Sequence, residues 1–215
     1  MSSDQAPPKN YVSNSPESIR MFERPWMEAL SRVYWWVPLL VYLPLIVALT
    51  VHASGGGIGA LPLTIWMFAG IVVWSLTEYL LHRFVFHYHP SSDWGKRLHF
   101  LMHGVHHDYP SDAKRLVMPP AISMPLALLF YGLFAWILPP LQTEALMVGF
   151  TLGYLVYDLT HYALHHAQFR SGWLYRLKRY HMRHHYADPS RSFGVSSPLW
   201  DQVFGSTERR LSRGR

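Results

Sequence analysis

LPLTIWMFAGIVVWSLTEYLLHRFVFH, residues 61–87, is the stretch that decides the fold. From Leu61 to Leu81 only Glu78 carries a charge, and the run is long enough to cross about 30 Å of hydrocarbon as a helix. It then continues directly into His82 and His87. The apolar span therefore ends by delivering two imidazoles to the membrane boundary, with a carboxylate one turn behind the first.

The same arrangement recurs along the chain. Val33 to Val51 holds no charged side chain, and Pro38 and Pro44 interrupt it in a way that membrane helices tolerate. Leu116 to Leu138 is a third span, with Pro119, Pro120 and Pro125 in its first half. Leu141 to about Leu164 is a fourth, with Glu144 near its start and Asp158 near its end. The connections HASGGGIGA and Pro139-Pro140 are short. The expected fold is an all-α integral membrane protein, with four transmembrane helices in two hairpins and a cytoplasmic histidine-rich helical cap. Only 15% of residues are charged, against about 25% in soluble domains. All 19 Lys and Arg lie before the first span, within 82–115 or after His166, so the positive-inside rule turns both termini and the 82–115 loop to the cytoplasm. The membrane is the bacterial cytoplasmic membrane or, in a eukaryote, the endoplasmic reticulum. A soluble four-helix bundle has no reason to sort its basic residues in this way.

Residues 1–15 read as a polar tail, with no apolar segment behind a basic start and so no cleaved signal peptide. Ser15 as N-cap and Pro16 at the first helical position begin an expected interfacial helix over 16–32. Its apolar residues Ile19, Phe22, Trp26 and Leu30 recur at helical spacing, and Pro25 kinks or breaks it. The membrane domain is 33–206 and a basic tail follows over 207–215. The absence of cysteine excludes disulfides, zinc fingers, cysteine-held iron–sulfur clusters and thiolate-bound haem. A formal charge of +6 is too small to point to nucleic acid.

Thirteen of the 14 histidines fall in four bursts: His82, His87 and His89; His99, His103, His106 and His107; His161, His165 and His166; His181, His184 and His185. Spacings of three and four residues stack imidazoles on one helix face, where they converge on an ion. Four bursts supply more nitrogens than one metal accepts, so two metal ions are expected. His52 stands apart as an ordinary interfacial residue. Glu78 and Asp158 lie inside apolar helices, one turn and three residues before His82 and His161. A buried carboxylate there is costly unless it serves a site, for example by accepting the second N–H of a ligating ring. Asp108 and Asp112 are placed for the same task. The alternative for Glu78 and Asp158 is a helix-end residue reaching for the interface. Imidazole suits iron, zinc, copper and nickel alike. The Glu-x-x-His motifs of carboxylate-bridged di-iron bundles are absent. Iron suits oxygen chemistry on an inert substrate, and zinc suits the donors equally.

The series HXXXXH, HXXHH, HXXXH and HXXHH around two hairpins resembles the integral-membrane fatty acid hydroxylase superfamily of di-iron enzymes. EYLLHRFVFH, HGVHHDYPSDAKRLVMPP, YDLTHYALHH and LKRYHMRHHYADPSRSFGVSSPLWDQVFGS are similar to the fatty acid 2-hydroxylases, or sphingolipid alpha-hydroxylases, over about residues 70–206. The resemblance implies ten metal ligands: His82, His87, His103, His106, His107, His161, His165, His181, His184 and His185. His89, His99 and His166 would be their neighbours. It implies two iron ions, with zinc as a replacement in purified protein, and O2 as co-substrate. It also implies hydroxylation at carbon 2 of a fatty acyl chain, free or in a sphingolipid or other lipid. Many eukaryotic relatives carry a b5-type cytochrome domain, which the roughly 30 residues before the first span do not accommodate. A separate b5-type or ferredoxin-like electron donor is expected instead, and the basic face suits an acidic one. Tyr180 and Tyr186 are candidates for substrate contact, and Trp173, Trp200 and Phe204 for an aromatic rim; packing is the alternative for each. The competing functions are a sterol or carotenoid hydroxylase or desaturase on the same core, and a membrane metal-binding or transport protein. Transport ligands would lie near the midplane, whereas these bursts share one side. A bis-histidine haem protein would need facing histidines within the spans.

Overall fold

A computed structural model describes residues 12–207, and every regular element among them is helical. The helices are α1 (Pro25–Ser31), α2 (Val37–Gly55), α3 (Ala60–Leu80), α4 (Asp93–His99) and α5 (Val105–Asp108). They continue with α6 (Pro120–Ile137), α7 (Pro140–His166), α8 (Gly172–Tyr186) and α9 (Leu199–Val203). Two π-helical stretches complete them: Leu81–Phe86 prolongs α3, and Phe100–Gly104 joins α4 to α5. The polar tail over 1–11 and most of the basic tail, 208–215, lie outside the described residues.

Prolines set the helix starts. Pro25, Pro38, Pro120 and Pro140 each sit in a first turn, where the missing N–H has no intrahelical partner to lose. Three expected boundaries move for this reason. The first membrane helix begins at Val37 rather than Val33, and the third at Pro120 rather than Leu116. The helix expected over 16–32 shrinks to Pro25–Ser31, and Ser15 caps nothing. Pro25 opens α1 instead of kinking a longer helix. Proline disfavours α geometry in the residue before it, and Arg24 is accordingly extended, at φ −76° and ψ 123°.

Three helices are long and apolar enough to cross a membrane: Val37–Gly55, Ala60–Phe86 and Pro120–Ile137. Their outward residues, among them Leu40, Phe68, Leu128 and Trp136, are exposed and ready to meet lipid. The expected fourth span falls on α7, which has 27 residues but a different character. Over most of its length it is buried against α2, α3 and α6, and it carries Thr143, Glu144, Thr151 and Asp158.

α3 and α7 are pressed together along a seam of glycines. A Cβ on Gly149 would lie 1.8 Å from the Met67 carbonyl oxygen, and one on Gly70 would lie 2.1 Å from that of Leu146. Trp74 closes over Gly153 and meets Phe150 and Tyr154 edge-on, with centroids 5.1 and 5.3 Å away. Tyr42 donates to Ser123 Oγ at 2.7 Å and ties α2 to α6. The seam carries the last turns of α3 and α7 to the same end of the bundle, where the histidines are.

Candidate metal centre

His82 and His87 are five residues apart, which in an α-helix turns them about 140° from each other. The π-helical stretch Leu81–Phe86 removes that mismatch, because its i→i+5 bonding (His87 N to His82 O, 3.2 Å) brings the fifth residue back over the first. Adjacent histidines do the opposite. His106 and His107, like His184 and His185, diverge by about 100° around their helices, so each pair reaches two destinations.

The ten expected ligands gather into two groups of five. His82, His87, His103, His107 and His184 form one, and His106, His161, His165, His181 and His185 form the other, with all ligand atoms of a group within 4.8 Å of one another. In the first group the Nε2 atoms of His82 and His103 are 3.1 Å apart, those of His82 and His87 3.2 Å, those of His103 and His107 2.9 Å, and those of His87 and His184 2.9 Å. In the second, His181 Nε2 lies 2.9 Å from His165 Nε2 and 3.1 Å from His185 Nε2. Nitrogens bound at about 2.1 Å on neighbouring corners of one metal would be about 3 Å apart.

The proton inventory suits a cation between the rings. His82 Nδ1 donates to the Phe193 carbonyl at 2.5 Å, and His184 Nδ1 to that of Arg191 at 2.6 Å. A carbonyl only accepts, so in the neutral ring Nε2 is left as a bare lone pair. Those lone pairs face the Nε2 atoms of neighbouring rings, His82 toward His103 and His87, and His184 toward His87. In the second group His106 Nε2 and both nitrogens of His161 are buried without a protein hydrogen bond. Burial first, and repulsion between neighbouring rings second, hold His103, His106, His107, His181 and His185 well below the usual imidazole pKa. At neutral pH they are uncharged donors. The donor set fits two metal ions.

The carboxylates act differently from expectation. Glu78 does not touch His82. Its Oε1 accepts from the Val195 and Ser196 amides at 2.7 and 2.8 Å, and its Oε2 accepts from Ser196 Oγ. Asp201, which sequence reading overlooked, accepts from the Phe193 and Gly194 amides at 2.9 and 2.7 Å. Together they pin the 191–197 loop whose carbonyls orient His82 and His184, so backbone replaces side chain as the partner of the rings. Glu78→Ala is expected to lower metal affinity in the first group about 10- to 100-fold, with Glu78→Gln close to wild type. Metal titration of the purified variants checks this, and full affinity in Glu78→Ala would refute it.

Asp158 likewise misses His161; it accepts from Tyr154 OH at 3.0 Å and from the Met118 amide at 3.3 Å. Asp112 accepts from the Lys114 amide at 3.0 Å and faces Arg115 rather than a ligand. Asp108 lies beside His107 in a hollow of about 400 Å³ that also reaches His87 and His103, without bonding any ring. His89 and His99 pair with each other there, centroids 5.2 Å apart, and His166 packs on Tyr162; all three are outside both groups. His52 is at the far end of the bundle, 2.8 Å from Glu144. Trp200 donates to Ser75, Phe204 stacks on Tyr79, and Trp173 is exposed.

A cavity of about 200 Å³ abuts both groups, through His103 of the first and His106 and His161 of the second. Apart from Asp158 and Arg115 its wall is mainly apolar, built from Met102, Leu116, Val117 and Met118, then Ile122 and Leu126 of α6. Neither Tyr180 nor Tyr186 lines it; Tyr186 faces a separate basic hollow with Arg170, Arg179 and Arg183. Both tyrosines stand on α8, and the Tyr186 ring lies 6.3 Å from that of His185, outside the apolar cavity.

Fold and site define a helical protein with membrane-length apolar helices and two histidine-only donor sets. The chain belongs to the fatty acid hydroxylase family, whose profile matches residues 67–206. It is 39% identical over 190 residues to dihydroceramide fatty acyl 2-hydroxylase FAH1 of Arabidopsis thaliana, covering 88% of this chain and 80% of that protein. It is 38% identical over 211 residues to the fatty acid 2-hydroxylase of Homo sapiens, covering 86% of this chain and 56% of that protein. The solved structure of full-length scs7p, in which only the hydroxylase domain is visible, superposes with a TM-score of 0.81 at 38% identity. That match covers 85% of this chain and 70% of that one.

Proposed function

We propose that this chain is an O2-dependent fatty acyl 2-hydroxylase, an oxidoreductase of lipid metabolism whose ten histidines hold two iron ions. The observation that carries the reading is the apolar cavity abutting both donor groups. Bound there, two iron ions would supply O2 activation and insertion of one oxygen atom into a C–H bond. The overall change consumes O2, two electrons and two protons, and releases one water with the hydroxylated chain. The chain's own residues do the rest. Met118, Ile122 and Leu126 line an alkyl path and exclude water, while the carbonyls of Phe193 and Arg191 fix the rings. The relatives named above are 2-hydroxylases of fatty acyl groups. A metal centre at the membrane surface lies near lipid headgroups, so the carbons beside the carbonyl are the accessible ones. Zinc would occupy the same donors without the redox chemistry.

The same reading makes α7 a fourth crossing, shielded from lipid by α2, α3 and α6, with the histidine cap and both termini cytoplasmic. Its support is the sequence distribution of Lys and Arg, all of which fall before the first span, within 82–115 or after His166. Electrons would come from a separate acidic carrier of the b5 or ferredoxin type. Mass spectrometry of hydrolysed lipids from cells with and without the protein tests the activity. 2-Hydroxy fatty acids are expected only with the protein; their absence under adequate oxygen and reductant would favour a sterol or carotenoid substrate.

A further inference from the structure

We propose that Met21 and Phe22, seated by the buried Glu28–Arg115 ion pair, select which acyl lipids reach the histidine centre; the inference rests on the cavity being the acyl site. Both side chains line that cavity, and they come from a stretch with no helix of its own. Side-chain chemistry holds the stretch in place. Glu28 Oε2 accepts from the Met21 and Phe22 amides at 2.9 and 3.0 Å. Arg115 Nη2 reaches Glu28 Oε1 at 2.5 Å and the Ile19 carbonyl at 2.7 Å, while its Nη1 donates to Ser31 Oγ at 2.5 Å. The Arg115 side chain is 1% exposed. A charge pair this deep contributes little net stability over an apolar packing, but it fixes register. Here the register is that of two apolar side chains over the cavity.

The strap has a second face. Trp26 and Leu30 of α1 are more than half exposed, and Tyr34, Trp35 and Trp36 follow them outward. Aromatic residues of this kind settle at a membrane interface. The segment therefore lies between lipid and the cavity, with Trp26 and Leu30 toward one and Met21 and Phe22 toward the other. Elsewhere the wall includes Phe86, His103, His106 and His161 on ligand-bearing segments, Ile122 and Leu126 on a membrane helix, and residues 116–118 on the connection before α6. At about 200 Å³ the cavity is also smaller than the roughly 300–1,000 Å³ of ordinary ligand pockets. Only part of a long acyl chain is enclosed, and the strap is the wall against which that part is measured. Apolar walls discriminate by roughly 10- to 200-fold per methylene.

The full-length protein is expressed in cells supplied with saturated acyl chains of graded length, and the 2-hydroxy products are profiled. Phe22→Ala is expected to shift the ratio of longer to shorter products by about tenfold, with wild-type metal content. Glu28→Gln, which leaves both apolar side chains in place, is expected to shift it in the same direction. Ile122→Trp narrows the cavity from α6 and should shift it the other way. Unchanged profiles in Phe22→Ala and Glu28→Gln beside a shifted Ile122→Trp would overturn the strap's role and leave the cavity reading standing. Unchanged profiles in all three would overturn the cavity reading itself.

Discussion

Alanine at His107 or at His165 is expected to cut hydroxylation at least about a thousandfold, some 4 kcal/mol of transition-state stabilisation, while the protein still reaches the membrane. The two residues belong to different groups, and each supplies one of five nitrogens. Metal content separates their effects. His107→Ala should lose metal from the group holding His82 and His184 and keep the other ion. His165→Ala should do the reverse. Neither removes a ring whose Nδ1 anchors the 191–197 loop, so Glu78 and Asp201 still hold it. Wild-type turnover in both variants would sink the assignment, and loss of both ions from each would show that the two groups bind as one unit.

Periodicity was the legible part of this chain. Three apolar runs become helices of membrane length, and the histidine bursts come together, because both patterns are written in side-chain chemistry at regular spacing. Proline boundaries shifted by a few residues where Pro38 and Pro120 belong to first turns. The division of ten histidines into two groups was less legible. It depends on a π-helical stretch between His82 and His87 and on the divergence of neighbours such as His184 and His185. The five-residue spacing of HXXXXH was the available signal, since an α-helix cannot serve it. The orienting partners were hidden for another reason. They are the carbonyls of Phe193 and Arg191, and any residue has a carbonyl. Proximity in sequence therefore assigned Glu78 and Asp158 to their neighbouring rings, when long-range contacts with the 195–196 amides and with Met118 had claimed them. Glu28 and Arg115 are 87 residues apart and gave no local pattern at all.

Gly149→Val is expected to abolish the folded protein, and the reason links the glycine seam to the site. The first added carbon would stand 1.8 Å from the Met67 carbonyl oxygen, which belongs to backbone and cannot swing aside. Relief requires α3 and α7 to part. The cost exceeds the ~1–3 kcal/mol of ordinary overpacking, because the clash is with a helix rather than a side chain. Parting the helices also separates what they deliver, since α3 leads into His82 and His87 and α7 carries His161 and His165. Metal binding should therefore fail together with folding, although position 149 lies well down the helix from the histidines. Gly132→Ala is the internal control, because a Cβ there meets nothing within 4 Å and alanine is the better helix former. Detergent-solubilised variants followed by size-exclusion chromatography and thermal melting should show Gly132→Ala at or above wild-type stability and no monodisperse Gly149→Val. A folded, metal-loaded Gly149→Val would mean that the two helices reach the histidine end without the close contact that the seam describes.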